Sequence, residues 1–254
     1  MSLVGKVIEL WRYPVSTVGG EQVEELEVPV GGMPDDRTCG LVDRDSGAIA
    51  DPLRDPRWKP SLEIQSRVGR GRVAEIRVPD GDWLPAIGPE AADALSGYFG
   101  FPVEIRSYAG QSSDTGGPVA VNRYQPSDLH LLTTASIAEL QALHPAGNPD
   151  RRRFRPSLLI EMPAQPGMFP ESHWLGQTVR IGTAVLGISD PTRRCGLTVM
   201  SQNDIPNDPD ILRHLVRRNG HNMGVYATVA GAGTIRLGDS VEFVAEKEPA
   251  IPAE

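Results

Sequence analysis

The 254-residue sequence has few of the residues and segments that would assign it to a class at once. Its two cysteines, Cys39 and Cys195, are too few for a disulfide framework, and no Cys-x-x-Cys pair or cysteine–histidine cluster has zinc spacing. No stretch approaches about 18 consecutive apolar residues, and no basic segment followed by a long apolar one opens the chain. We therefore expect no structural zinc, no membrane span and a cytoplasmic location, with Cys39 packed in a core.

An excess of positive charge is also missing, because the net charge is −8 and the pI is near 5.2. An acidic chain is a poor ligand for a polyanion, so nucleic acid and an anionic membrane surface are not expected partners. There is no phosphate-binding P-loop, no dinucleotide-binding glycine motif after a strand and no Gly-x-Ser-x-Gly nucleophile elbow. Local groups of arginines can still bind a small anion.

Turn-forming residues are abundant: 27 glycines and 23 prolines separate many short apolar segments. Several segments alternate with period two, which indicates strands with one buried face. The pattern predicts a mainly β fold of the barrel or sandwich kind, with few short helices. The predicted strands are 6–13, 22–28, 39–43, 73–78, 102–108, 157–162, 178–189, 195–201, 224–230 and 239–244.

Three segments have helical start and stop signals. Residues 88–100 have a proline near their start and an acidic first turn, and 136–144 open with Ser136 and Glu139 in capping-box spacing. In 208–220, Asp208 is the predicted N-cap and a glycine supplies the stop.

A stretch rich in Gly, Ser and Asp, residues 108–128, is the best linker candidate, with a boundary near Gly117. The predicted division is a smaller β-rich N-terminal domain over 1–116, a second domain over 117–246 and a tail over 247–254 whose composition is typical of a disordered end.

Cys195 lies in "SDPTRRCGLTV", directly after Arg193 and Arg194 and at the start of an alternating apolar run. A lone cysteine in a strand is commonly a small buried apolar residue. A neighbouring cation instead favours the thiolate, which attacks electrophiles, carries sulfane sulfur or binds soft metals. In a strand Arg193 would share a face with Cys195, and Arg194 would point to the opposite face, so Arg193 is the predicted electrostatic partner.

Four arginines fall within five positions of "PDRRRFRPS", residues 149–157. The default interpretation is a solvated loop at a strand entrance. Arg155 is the exception, because Pro156 favours an extended backbone before the strand and the guanidinium fork could meet a defined anion such as phosphate. His214 and His221 stand singly and are expected to be surface or capping residues.

Six segments, taken together and in order, resemble the MOSC family, named for the C-terminal domain of molybdenum cofactor sulfurases, preceded by its N-terminal β-barrel domain. They are "VGKVIELWRYPVSTVGGE", "DDRTCGLVDRDSGAIAD", "LLTTASIAEL", "RRFRPSLLIE", "LGQTVRIGTAVLGISDPTRRCGLTV" and "GVYATVAGAGTIRLGDSVEFV". The resemblance implies a β-barrel MOSC domain with a smaller β-rich domain closing over a cofactor site. It also implies a molybdopterin-type molybdenum cofactor, or a cysteine that carries sulfur to that cofactor's metal.

The resemblance carries over to particular residues. Thr17 and Arg37 correspond to positions near the cofactor phosphate, Arg155 to the arginine of the family's Phe-Arg-Pro-Asn motif, and Thr133 to a pocket-lining serine. Cys195 corresponds to the cysteine of the family's Arg-Cys motif and would stand in as the metal ligand in a reductase.

Other positions depart from the family pattern. Ser16 stands where a lysine is common, and Ser157 replaces the asparagine of the arginine motif. The amidoxime-reducing branch has a second, metal-binding cysteine about two dozen residues after the first, where "LVRRNGHNMG" has no cysteine and offers Asn219, Gly220 or His221. Asparagine is a poor ligand for a soft metal centre compared with a thiolate.

Three functions follow from these residues. In the first, Arg37 and Arg155 bind the cofactor phosphate and Cys195 holds a persulfide for transfer to the metal, with a cysteine desulfurase as the expected partner. In the second, Cys195 binds molybdenum in a reductase of N-hydroxylated small molecules, served by a redox partner. The third is a metal-free scaffold for another small anion or a protein.

Overall fold

The computed structural model describes residues 2–109, 119–121 and 127–244. The predicted boundary near Gly117 and the predicted tail, 247–254, lie outside the described residues. Among the described residues, no helix is both long and apolar enough to cross a membrane.

Short strands dominate the described chain. They are β1 (Ser2–Arg12), β2 (Val15–Ser16), β3 (Glu21–Val23), β4 (Glu25–Val28), β5 (Cys39–Asp43), β6 (Gln65–Val68), β7 (Ala74–Arg77), β8 (Leu84–Pro85), β9 (Val103–Ser107), β10 (Leu129–Thr133), β11 (Leu158–Glu161), β12 (Thr178–Ile181), β13 (Ala184–Arg193), β14 (Asn222–Gly231), β15 (Gly233–Arg236) and β16 (Ser240–Phe243). The α-helices are α1 (Pro89–Phe99), α2 (Thr134–Leu143) and α3 (Pro209–Asn219). Turns of 3-10 helix cover Pro56–Glu63, Arg70–Arg72, Arg151–Arg153, Pro170–Trp174 and Gly196–Val199. The mainly β prediction is confirmed.

Seven strands close a barrel in the order β11-β10-β14-β13-β12-β16-β1, with β1 returning to pair with β11. The β10–β11 pair is parallel and the other pairs around the barrel are antiparallel. Its interior is filled by apolar side chains with little or no solvent exposure, among them Leu10, Leu131, Ile160, Ile188 and Val225. Strand β1 belongs to this barrel although it lies in the predicted N-terminal domain, 1–116. The predicted division into 1–116 and 117–246 therefore separates β1 from the strands with which it pairs.

The smaller unit consists of two three-stranded sheets, β2-β5-β9 and β6-β7-β8. Helix α1 packs on them, and a second apolar core forms around Trp58, Ile64, Ile76 and Leu95. Cys39 belongs to this core, as predicted, and burial raises the pKa of its thiol to about 12. It is therefore a packing residue.

The helix predictions are confirmed in position, with one error at a terminus. Asp208 caps α3 by accepting a hydrogen bond from the amide of Asp210, and the helix ends at a left-handed glycine. Helix α2 starts earlier than Ser136 because the Thr133 hydroxyl accepts the Ser136 amide at 3.1 Å. Glu139 does not complete a capping box; its carboxylate accepts from the amide of Gly167 at 2.7 Å.

The predicted strand 195–201 is wrong. Strand β13 ends at Arg193, opposite Asn222, the first residue of β14, so the ladder has no partner beyond this point. The chain instead turns into the 3-10 helix Gly196–Val199, with the Thr198 amide donating to the Cys195 carbonyl at 3.0 Å.

The arginine run is only partly a solvated loop. Arg153 is 2% exposed. Its guanidinium donates to the carbonyls of Asn148 (2.7 Å), Thr198 (3.2 Å), Met200 (3.3 Å) and Pro206 (2.6 Å). This one side chain ties residues 198–206, which follow Cys195, to the loop before β11.

Replacing Arg153 with alanine should lower the free energy of unfolding by about 3 kcal/mol, because buried carbonyl groups lose their donors. The neighbouring Arg152 pairs with Asp150 and the exposed Asp204, and Arg152→Ala should cost about 1 kcal/mol or less. Urea unfolding of the two variants measures the difference. Equal losses would show that Arg153 does not organise the loop.

Candidate functional site

The site is built around Tyr13, which follows β1 and is 3% exposed. Its hydroxyl donates to the Pro156 carbonyl at 3.2 Å. The guanidinium carbons of Arg37 and Arg155 lie 4.8 Å and 4.2 Å from its ring centroid. Both cations are therefore attracted to one aromatic ring, which sets their positions.

Arg37 is placed by the loop between β4 and β5. The Asp36 carboxylate accepts the Tyr13 amide at 2.8 Å and also pairs with the Arg37 guanidinium. Burial opposes the charge on Arg37, but the Asp36 and Tyr13 side chains more than offset it and raise its pKa. Arg37 therefore stays fully charged.

Arg155 reaches the cluster from the loop before β11. Its Nη1 donates to the Val18 carbonyl, and its own carbonyl accepts from Arg37 Nη2 at 3.4 Å. Burial, followed by the nearby positive charge of Arg37, lowers the pKa of Arg155 to about 10. The guanidinium is still a cation at neutral pH, in a position where a negative charge would stabilise it.

Arg194 supplies a third cation from the end of β13. Its Nη2 donates to the Phe154 carbonyl at 2.7 Å. Burial is the largest cause lowering its pKa, and the charge of Arg37 lowers it further, whereas Tyr226 and Cys195 act in the opposite direction. Arg194 thus interacts electrostatically with both Arg37 and the Cys195 thiol.

Two buried guanidinium nitrogens at this site, Arg155 Nη2 and Arg194 Nε, have no hydrogen-bond partner among the described residues. A buried N–H without an acceptor costs about 1–3 kcal/mol, and more on a charged group. Guanidinium groups bind carboxylate and phosphate oxygens in paired hydrogen bonds. The three arginines (the arginine cluster: Arg37, Arg155 and Arg194) therefore form a cationic site with donors still available for an anion.

Three of the predicted phosphate-site residues have left-handed backbone conformations: φ is 73° at Thr17, 50° at Arg37 and 52° at Arg155. Residues other than glycine, asparagine and aspartate rarely adopt such φ values, which cost of order 1–3 kcal/mol and cluster at functional sites. Thr17 is half-buried and directly precedes Val18, whose carbonyl accepts Arg155. The structure brings these three residues together.

Cys195 is exposed and lies beside the smaller unit, because a Cβ on the next residue, Gly196, would be 2.7 Å from Leu53. The prediction that Arg193 is its electrostatic partner rested on a strand that does not exist. Arg193 is exposed, and its Nη2 contacts His221 Nδ1 at 3.0 Å. The neighbour that shares an electrostatic interaction with Cys195 is Arg194.

Three other predicted site residues contribute to the fold instead. Thr133 is fully buried, and its hydroxyl donates to Glu171 at 2.6 Å while capping α2. The hydroxyl of Ser157, 1% exposed, accepts the His130 amide at 3.1 Å. Asn219 Nδ2 donates to the Asn222 carbonyl at 3.0 Å, closing the turn after α3. Their polar groups are engaged inside the protein, so the structure does not bring them to the arginine cluster.

Sequence reasoning missed Tyr13, Arg194 and His130 as site residues. His130 is buried below the cluster, its ring nitrogens facing the carbonyls of Arg155 and Met223, each at 3.3 Å. Gly224 permits this, since a Cβ there would be 2.2 Å from His130 Nε2. Of these three residues, only Arg194 could have been found from the sequence, because it is directly adjacent to Cys195.

A family profile described as the MOSC domain matches residues 119–242. This part of the chain, just under half of it, is a MOSC domain. Among solved structures, YuaD from Bacillus subtilis is 14% identical with a TM-score of 0.48, over 94% of each chain. YiiM from Geobacillus stearothermophilus is 17% identical with a TM-score of 0.36, over 47% of this chain and 55% of its own. No curated protein matches the sequence.

The His130 ring should remain neutral far below neutral pH. Burial, then the charge of Arg194, lowers its pKa to about 3. In the unfolded chain the ring takes up a proton near pH 6.5, so this residue alone should reduce stability by about 1.4 kcal/mol for each pH unit below that value. Ring chemical shifts followed by NMR from pH 7 to 4.5 test this. Titration of the His130 ring within that range would contradict the proposed environment.

Proposed function

We propose that this MOSC-domain protein binds a molybdopterin-type cofactor with its phosphate at the arginine cluster, and that Cys195 is the functional thiol beside it. The unpartnered Arg155 Nη2 and Arg194 Nε carry the proposal, because a phosphate group offers the acceptor oxygens that these two buried N–H groups lack. The residues present therefore fit the anionic end of such a cofactor.

The roles of the cluster residues follow from their contacts. Arg37, fixed by Asp36 and Tyr13, would neutralise phosphate charge without moving. Arg155 would use the nitrogen not already donating to Val18. Thr17, next to that carbonyl, would add a hydroxyl. Such a prepositioned set binds an anion without first paying to order long side chains.

A molybdenum centre, when bound, would supply oxygen-atom transfer or metal–sulfur chemistry; the protein's own contribution is Cys195. As a sulfur carrier, the Cys195 thiolate would attack the terminal sulfur of a donor persulfide. A sulfur–sulfur bond would form to Cys195, the bond to the donor cysteine would break, and the donor would leave as a thiolate. Arg194 would attract the resulting anionic persulfide.

A second candidate, in which Cys195 binds the metal of a reductase, is favoured by the same exposed thiol next to the arginine cluster. Asn219, at the position where the resemblance places a second metal ligand, is not free to bind a metal, because its side-chain amide donates a hydrogen bond to the Asn222 carbonyl. Either use of the thiol requires the phosphate site, so the cofactor can be tested first.

Purified from a host that makes molybdenum cofactor, the wild-type protein should contain pterin near one per chain. Arg155→Gln should retain less than about a tenth of it, since removing one buried charge-assisted hydrogen bond costs of order 1.5–3 kcal/mol. Arg152→Gln, a change in the same arginine run but on the surface, should retain it. Pterin-free wild-type protein would contradict the proposal.

Molybdenum content and persulfide labelling then separate the two uses of Cys195. If Cys195 is a metal ligand, the Cys195→Ala protein should lose its molybdenum, while the residues that bind the pterin phosphate are unchanged. A carrier predicts persulfide on Cys195 after incubation with a cysteine desulfurase and cysteine, absent from Cys195→Ser and present in Cys39→Ser, because Cys39 is buried. Labelling that survives in Cys195→Ser would exclude the carrier.

A further inference from the structure

A cavity of about 730 Å³ lies next to the loop that carries Arg37. Its walls come from the loop between β4 and β5, the turn around Arg72 and the residue before the first turn of α1. The side chains that define it are Val30, Met33, Asp35, Arg72, Val73 and Ile87. None of the three clustered arginines lines it.

The loop from Asp35 to Thr38 divides the two sites. Its inner residues, Asp36 and Arg37, contact Tyr13. Its outer residues, Asp35 and Thr38, line the cavity. A ligand in the cavity would therefore meet an aspartate where a ligand at the arginine cluster meets cations.

Asp35 Oδ2 is buried and accepts no hydrogen bond from the part of the chain that the structure describes. Arg72 Nη2 lies 2.7 Å away and Arg12 Nη1 lies 4.0 Å away, so the carboxylate has neighbouring charge without a directed donor. Arg12 is committed elsewhere, since its Nε and Nη2 both donate to Glu21. The oxygen is an acceptor that requires an N–H group with better geometry.

Arg72 is a replaceable partner for this carboxylate. Its side chain is 60% exposed, and ion pairs at exposed positions are weak because water screens them. Its backbone, like that of Asp35, is left-handed, with φ of 61° and 62° respectively. A planar cation with two parallel N–H groups could take the place of the Arg72 guanidinium.

The mouth of the cavity is apolar. Val30, Val73 and Ile87 are 71%, 49% and 40% exposed, and Met33 and Ala74 lie deeper. Exposed aliphatic side chains that converge on one opening are typical of ligand sites. They would cover an uncharged ring or chain attached to the cationic group.

We propose that this cavity binds a small organic cation in which an amidine or guanidine group is attached to an apolar body. The planar N–H fork pairs with Asp35, the Arg72 side chain moves out to solvent, and the apolar body packs on Val30, Val73 and Ile87. The proposal is independent of the cofactor, because the cavity contains none of the phosphate-binding arginines.

Benzamidine is the probe, titrated calorimetrically into the full-length protein. We expect one saturable site whose dissociation constant rises at least tenfold in Asp35→Asn and falls several-fold in Arg72→Gln, which removes the competing guanidinium. Asp93→Asn, a change at an exposed aspartate of α1, should leave binding unchanged. Benzoate should not compete.

Ile87→Lys keeps the test valid if Asp35→Asn fails to fold. A cation at the exposed mouth should weaken benzamidine binding at least tenfold, whereas Ile87→Leu should retain it, with thermal unfolding as the check on folding. The proposal is overturned if wild type shows no saturable binding, if benzoate binds more tightly than benzamidine, or if folded Asp35→Asn binds as wild type does.

Discussion

Partial burial of guanidinium groups around Tyr13 is the constraint on which the site depends. Arg37 and Arg155 both lie over the ring of Tyr13, and the Asp36 carboxylate pairs with Arg37. Arg194 adds a further cation without a paired carboxylate of its own among the described residues. Burial, followed by the charge of Arg37, lowers the pKa of Arg155 to about 10. Such an arrangement is costly without an anion and favourable with one.

The barrel topology makes this arrangement possible. Tyr13 follows β1, which closes the barrel between β11 and β16, and so the start of the chain lies beside loops from the second half. Arg155 precedes β11 and Arg194 follows β13. Side-chain contacts also stabilise the left-handed backbone at Arg155. Its carbonyl accepts a hydrogen bond from Arg37 Nη2 and lies close to His130 Nδ1. The arginine cluster is therefore assembled by the tertiary fold from separate parts of the chain, and no single sequence motif contains it.

Much of the fold and part of the site were predictable from sequence. Period-two alternation located most strands, and Asp208 and the glycine after α3 marked that helix correctly. The resemblance identified Arg37 and Arg155, although neither their contact with Tyr13 nor their left-handed backbone has a local sequence signal. Arg153 and Arg155 lie two positions apart in one arginine run. Arg153 donates its hydrogen bonds to backbone carbonyls, whereas Arg155 Nη2 has no hydrogen-bond partner among the described residues. Only tertiary contacts distinguish them.

The failures share a physical cause. Cys195 and the residues after it alternate like a strand, but β13 has no partner beyond Arg193, and so the deduction from strand faces chose the wrong arginine. Thr133 and Ser157 have hydroxyls suited to a phosphate, yet helix capping and a buried amide use them first. Which hydrogen-bond partner a side chain finds depends on residues that are distant in sequence. The residue type at one position therefore does not predict whether its polar group is free to bind a ligand.

The most direct measurement of the central claim is the dissociation constant of inorganic phosphate for the full-length protein at low ionic strength, in wild type, Arg155→Gln and Arg152→Gln. The account predicts one saturable phosphate site, weakened at least tenfold by Arg155→Gln and retained in Arg152→Gln. Equal, unsaturable binding in all three proteins would show that the arginines around Tyr13 do not form an anion site.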